Sequence, residues 1–125
     1  MMKYRQKVLE NREILRTYFA NTGASSVMRP AYYNGGVFDC LFVIRLSCPT
    51  KDGYLGFLRG NIIKYLWRDQ GKRLDDLAKA FSYWELLCAE AAPLETDYEL
   101  FERICLEVLR VDSQVPLLAG RTSNI

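Results

Sequence analysis

Apolar residues recur at spacings of three and four along most of the chain, the period of a helix with one buried side. Residues 3–20 place Tyr4, Val8, Leu15, Tyr18 and Phe19 on one face, with Arg5, Arg12, Glu13 and Arg16 around the rest, and Asn21-Thr22-Gly23 marks a helix end. Val37 to Ile44 is too apolar for its period to separate a buried helix from a strand. Pro49 stops that element and Lys51-Asp52-Gly53 turns the chain. The next segment sets Leu55, Leu58, Ile62, Tyr65 and Leu66 on one side. A further helix from about Leu74 does the same with Leu77, Ala78, Phe81 and Cys88. Beyond Pro93, Thr96 is placed to cap a last helix whose Tyr98, Phe101, Ile104, Cys105 and Val108 form an apolar side, and Pro116 ends it. The pattern predicts an all-α fold, a compact bundle of four or five helices in one domain over 1–125. Its parts are an N-terminal helix within 1–23, a core over 31–92, a C-terminal helix over 94–111 and a frayed tail over 117–125.

Several polar positions are left over once the core stripes are assigned. Phe57, Asn61, Lys64 and Arg68 gather within about 60° of one another on the helical wheel, and Gly56, Gly60, Ile63 and Trp67 form a third strip. A helix apolar on two sides in so short a chain predicts a homo-oligomer. On the following helix Asp76, Lys79 and Tyr83 line up away from the core side, and the basic turn Gly71-Lys72-Arg73 joins the two. Arg68, Lys72, Arg73 and Lys79 can thus converge near one helix end and one helix start, an arrangement suited to anions. Upstream, Tyr33-Asn34-Gly35-Gly36 reads as a turn able to present successive N–H groups. The candidate ligand-binding residues are Tyr33, Asn34, Gly35, Gly36, Asn61, Lys64, Arg68, Lys72, Asp76, Lys79 and Tyr83.

Gly60-Asn61, Lys64-Tyr65, Arg68, Lys72, Asp76-Leu77, Lys79-Ala80 and Tyr83, with Tyr32-Tyr33-Asn34-Gly35-Gly36 ahead of an apolar run, resemble the signature of a family of small phage proteins often labelled nucleotide kinases. The likeness covers Tyr32 to about Leu87, and it turns the ambiguous Val37 to Ser47 segment into an expected helix. The family's loop usually opens with a histidine; Tyr32 stands there, and the chain contains no histidine. The resemblance implies a nucleoside monophosphate kinase using ATP and magnesium, acting in the cytoplasm of an infected bacterial cell.

Composition narrows the chemistry. At 125 residues, half of them hydrophobic and about a quarter charged, the chain is long and apolar enough to bury a core unaided. A formal net charge of +2 gives no strongly basic face for a long nucleic acid. Cys40, Cys48, Cys88 and Cys105 lack C-x-x-C spacing, and three of them sit within apolar runs and read as packing residues in a reducing cytoplasm, with no metal site. The longest apolar run is too short for a bilayer, so no membrane role is expected. No G-x-x-x-x-G-K-[ST] loop and no histidine-dependent nucleophile is present, and no catalytic residue is assigned. Anion capture therefore fits better than bond making. The leading expectation is a binder of a small nucleotide or related phosphoester that sequesters a host-defence signal without turnover. The kinase, and an inhibitor that blocks a host protein through an apolar face, are the rivals.

Overall fold

The computed structural model describes residues 2–24, 36–68, 71 and 73–118. Among them there are five helices and no strand: α1 (Met2–Thr22), α2 (Gly36–Ser47), α3 (Lys51–Trp67), α4 (Arg73–Glu90) and α5 (Glu95–Val111). The apolar Val37 to Ile44 segment is thus helical, inside α2.

α3 and α4 form the most closely packed pair, and α5 lies against both. α3 starts where Thr50, in extended conformation, accepts the Gly53 N–H on Oγ1 at 3.0 Å, a cap worth about 1 kcal/mol. Its expected stripe is its buried stripe: Leu55, Leu58, Ile62 and Leu66 are inside, together with Tyr54. α3 stops at Arg68, and Gly71 follows with φ +81°, a left-handed conformation that a side chain resists. The carbonyls exposed at that end are answered by Arg73, whose guanidinium donates to Tyr65 O at 3.3 Å, Leu66 O at 2.8 Å and Arg68 O at 2.8 Å. Arg73 therefore closes a helix end instead of joining the expected cationic cluster.

α4 departs from a simple amphipathic pattern. Leu77, Ala78 and Phe81 are buried as expected, but so are Ala80, Ser82, Tyr83, Trp84 and Leu87, while Leu74 and Cys88 are only half-buried. The cause is position: α4 has α3 and α5 on two sides and α1 tied to a third through Glu85, so its middle turns have little wet face.

α5 is capped differently from the sequence expectation. Leu94, not Thr96, occupies the capping position, and Asp97 reaches back to accept the Leu94 N–H on Oδ2 at 2.8 Å. Asp97 is fully buried, and Arg59 of α3 grips its carboxylate with two hydrogen bonds of 2.8 and 2.9 Å. Its backbone carbonyl accepts the Trp84 indole N–H at 2.8 Å. Burial alone would push the Asp97 carboxyl upward; the Arg59 hydrogen bonds, the Leu94 N–H and the Arg59 charge together hold it below the usual carboxylate range.

α1 covers the bundle with Val8, Leu15 and Phe19 and is fastened by polar links. Arg12 and Arg16 both bond Glu85, and the Tyr18 hydroxyl donates to Asp112 at 3.1 Å. The Asn11 carboxamide pairs with the backbone of Leu118, donating to its carbonyl at 2.9 Å and accepting its N–H at 2.7 Å. The four cysteines are free thiols. Burial pushes Cys88 up to about 11 and Cys105 up to about 12, consistent with packing rather than reactive roles.

Candidate functional site

The outer face of the α3/α4 pair carries a stack of rings with cations on it. Tyr65 lies parallel to Tyr83, centroids 6.0 Å apart and planes 13° apart, and Phe57 meets Tyr83 edge-on at 6.2 Å. Tyr83 is almost fully buried, and burial, followed by the neighbouring Tyr65, Cys40 and Tyr54, pushes its hydroxyl up to about 12. It is the floor of the stack. Tyr65, half-buried, is the ring nearer solvent.

Three cations approach that ring: Lys64 Nζ at 4.6 Å, Lys79 Nζ at 5.6 Å and the Arg68 guanidinium carbon at 5.7 Å from its centroid. Helical spacing puts them there. Lys64 and Arg68 are one turn apart on α3, and Lys79 lies one turn before Tyr83 on α4. The ring quadrupole attracts each cation, which lowers the cost of holding three like charges together. Asp76 supplies the counter-charge: Arg68 Nε stands 4.0 Å from its Oδ1. Asp76 is 4% exposed, yet its Oδ2 has no hydrogen-bond partner. A buried carboxylate oxygen without a donor ordinarily costs a few kcal/mol.

Of the residues expected at the site, Lys64, Arg68, Asp76, Lys79 and Tyr83 are brought together in this way. Asn61 is on the same strip, but it spends an amide N–H on the Phe57 carbonyl one turn back, at 2.9 Å, and only the rest of its carboxamide stays open to a ligand. Gly36 is the first residue of α2 rather than part of an open turn. Tyr33, Asn34, Gly35 and Lys72 lie outside the described residues. Tyr65 was missed as a site residue because its position borders the core stripe, and the stripe claims it by periodicity. The signal for it was the run Lys64, Tyr65, Arg68, in which a ring sits between two cations.

The Gly56, Gly60, Ile63, Trp67 strip is exposed, with open space around both glycines. Trp67 is 69% exposed, and α2 shows Phe42, Val43 and Leu46 to solvent as well. Among the described residues no cluster of three or more metal-ligating side chains occurs, and no helix is long and apolar enough to cross a membrane.

The ring and cation cluster falls inside a segment that matches a known family. Residues 27–85 match DUF3310, described as a protein of unknown function. The DUF3310 segment holds every expected site residue, from Tyr33 to Tyr83, while α1 and α5 lie outside it. Comparison with curated proteins and with solved structures gave no match.

Proposed function

We propose that the protein binds a small phosphate-bearing ligand of nucleotide type on the Tyr65 face, and that it holds the ligand without turning it over. The convergence of Lys64, Arg68 and Lys79 on the Tyr65 ring carries this reading. Three cations held at one place answer the charge of a phosphate, and charge-assisted hydrogen bonds are worth about 1.5–3 kcal/mol each where water is excluded. The partnerless Oδ2 of Asp76 is an acceptor awaiting a donor, such as a sugar hydroxyl or a base amine. Sequestration of a nucleotide signal is the role that best suits a cationic face without a recognisable nucleophile or catalytic acid. Calorimetry with nucleoside monophosphates, dinucleotides and cyclic nucleotides tests the proposal. At least one member of the panel binds the parent protein, and Lys64→Ala weakens it about tenfold or more. Heat-silent titrations across the whole panel overturn it.

Asp76 also gives specific support to the rival kinase. A buried carboxylate beside Arg68 is the sort of group that could accept a hydroxyl proton during phosphoryl transfer from ATP. Labelled ATP offered with each monophosphate separates the two readings: product that disappears in Asp76→Asn makes the protein a kinase, and none leaves it a binder.

The exposed strip of α3 supports self-association as a further part of the proposal. Light scattering at micromolar concentration should give a mass above that of one chain, and Ile63→Lys should restore the monomer. A monomeric parent protein refutes this part alone.

A further inference from the structure

We propose that the cleft between the C-terminal ends of α3 and α5 is a second, separate anion site, built for a ligand that carries a chain of phosphate groups. The cleft encloses about 500 Å3, the size of a small-molecule site, with Trp67 and Val111 among its apolar walls. Among the described residues, Arg68, Arg73, Arg103 and Arg110 line it, with Glu107 as the one carboxylate.

A cleft at two helix C-termini should repel anions, since each end carries about half a negative charge. The arginines reverse that balance. Among the described residues, four guanidiniums stand against Glu107 and two half-charges, leaving about two positive charges, or about one after Asp76 is set against Arg68. Arg73 has a full structural role, since it closes α3 and donates to Glu107 at 2.9 Å. Arg103 and Arg110 do not. Arg103 is 55% exposed and stands 3.9 Å from Glu107, beyond hydrogen-bonding distance, and Arg110 is 76% exposed with two long bonds of 3.2 Å to the same carboxylate. Arg103 and Arg110 offer about ten N–H donors between them, and the carboxylate that they share with Arg73 accepts about four.

The number of forks selects the ligand. Arg103 and Arg110 are seven residues apart, two turns along one face of α5, and both turn toward the carboxylate of Glu107. A single phosphate can meet these two forks, whereas a run of phosphates can also extend toward Arg68 on the α3 side of the cleft, and the planar guanidinium suits phosphate oxygens. Among the described residues, Arg68 is the lining residue shared with the Tyr65 face. Arg103, Glu107 and Arg110 all lie outside the DUF3310 segment, so the cleft is assembled by adding α5 to it.

The test is titration of the full chain with inorganic triphosphate and with orthophosphate by calorimetry. Triphosphate should bind at least tenfold more tightly than orthophosphate. The double variant Arg103→Gln/Arg110→Gln should lose at least tenfold in triphosphate affinity while its thermal melt stays within a few degrees of the parent's, the small drop reflecting the exposed Arg110–Glu107 pair, and Lys64→Ala/Lys79→Ala should bind triphosphate as the parent does. Equal affinity for the two ions, no binding of either, or full affinity in the arginine double variant overturns the proposal. So does a loss that follows the lysine pair, which would assign the triphosphate to the Tyr65 face.

Discussion

Arg59→Met should cost about 3–5 kcal/mol of folding stability, because it leaves the Asp97 carboxylate charged, buried and without its partner. The lower end of that range is expected, since the Arg59 side chain is 27% exposed and water can enter the space it leaves. The pH dependence has a definite sign. In the parent protein the folded Asp97 carboxyl titrates below its unfolded value, so its stabilisation is complete above about pH 4 and is lost as pH falls through the folded value. Glu107, held low by Arg73 and Arg110 against the upward push of burial, adds a loss of the same sign. Without Arg59, burial dominates and raises the folded Asp97 carboxyl above its unfolded value. The variant's specific penalty then diminishes as acid protonates Asp97. Urea denaturation from pH 7 to pH 4 should show the gap between parent and variant narrowing, and a constant gap would exclude the buried charge as its cause.

Trp84→Ala should be at least as severe, about 3–5 kcal/mol from the lost ring alone. The indole is 1% exposed, packs 4.5 Å from the Phe101 ring centroid, and has the Arg12 guanidinium 5.6 Å from its own. Its N–H is also the donor to the Asp97 carbonyl. Trp84→Phe keeps much of the packing and removes that bond, and should cost about 1–3 kcal/mol. Chemical denaturation followed by circular dichroism measures both. The Arg59 and Trp84 substitutions meet at one residue, Asp97, through its side chain and its backbone, so their costs should not add in the double variant. Strict additivity would show that the α3, α4 and α5 contacts at Asp97 act independently.

The parts of the fold that were legible in the sequence are those where one face is wet. On α3, four of the five residues assigned to the core stripe are fully buried and the fifth, Tyr65, is half-buried. α4 was harder to read because contact on several sides removes the contrast on which periodicity depends, and Trp84, central to the core, carried no signal of its being so. Arg59 and Asp97 are 38 residues apart, and neither position announces its partner. Thr96 is a good cap by composition, yet Leu94 takes the capping position and Asp97 lies three residues beyond it in the first turn, where its carboxylate serves both the Leu94 N–H and Arg59. At the site, the cationic strip was visible from helical spacing, but Tyr65 was not, because a residue at the edge of a stripe belongs to both faces. Nothing in the spacing of Arg103 and Arg110 along α5 points to Arg68 and Arg73, which come near them only because the ends of α3 and α5 meet.

The Asn11 pairing with Leu118 spans 107 positions, and the other ties of α1 reach Glu85 and Asp112. During synthesis α1 must therefore wait for Glu85, Asp112 and Leu118 to emerge before its polar ties can form. Until then Val8, Leu15 and Phe19 have no finished core to cover, and the nascent segment is the one a chaperone would be expected to hold.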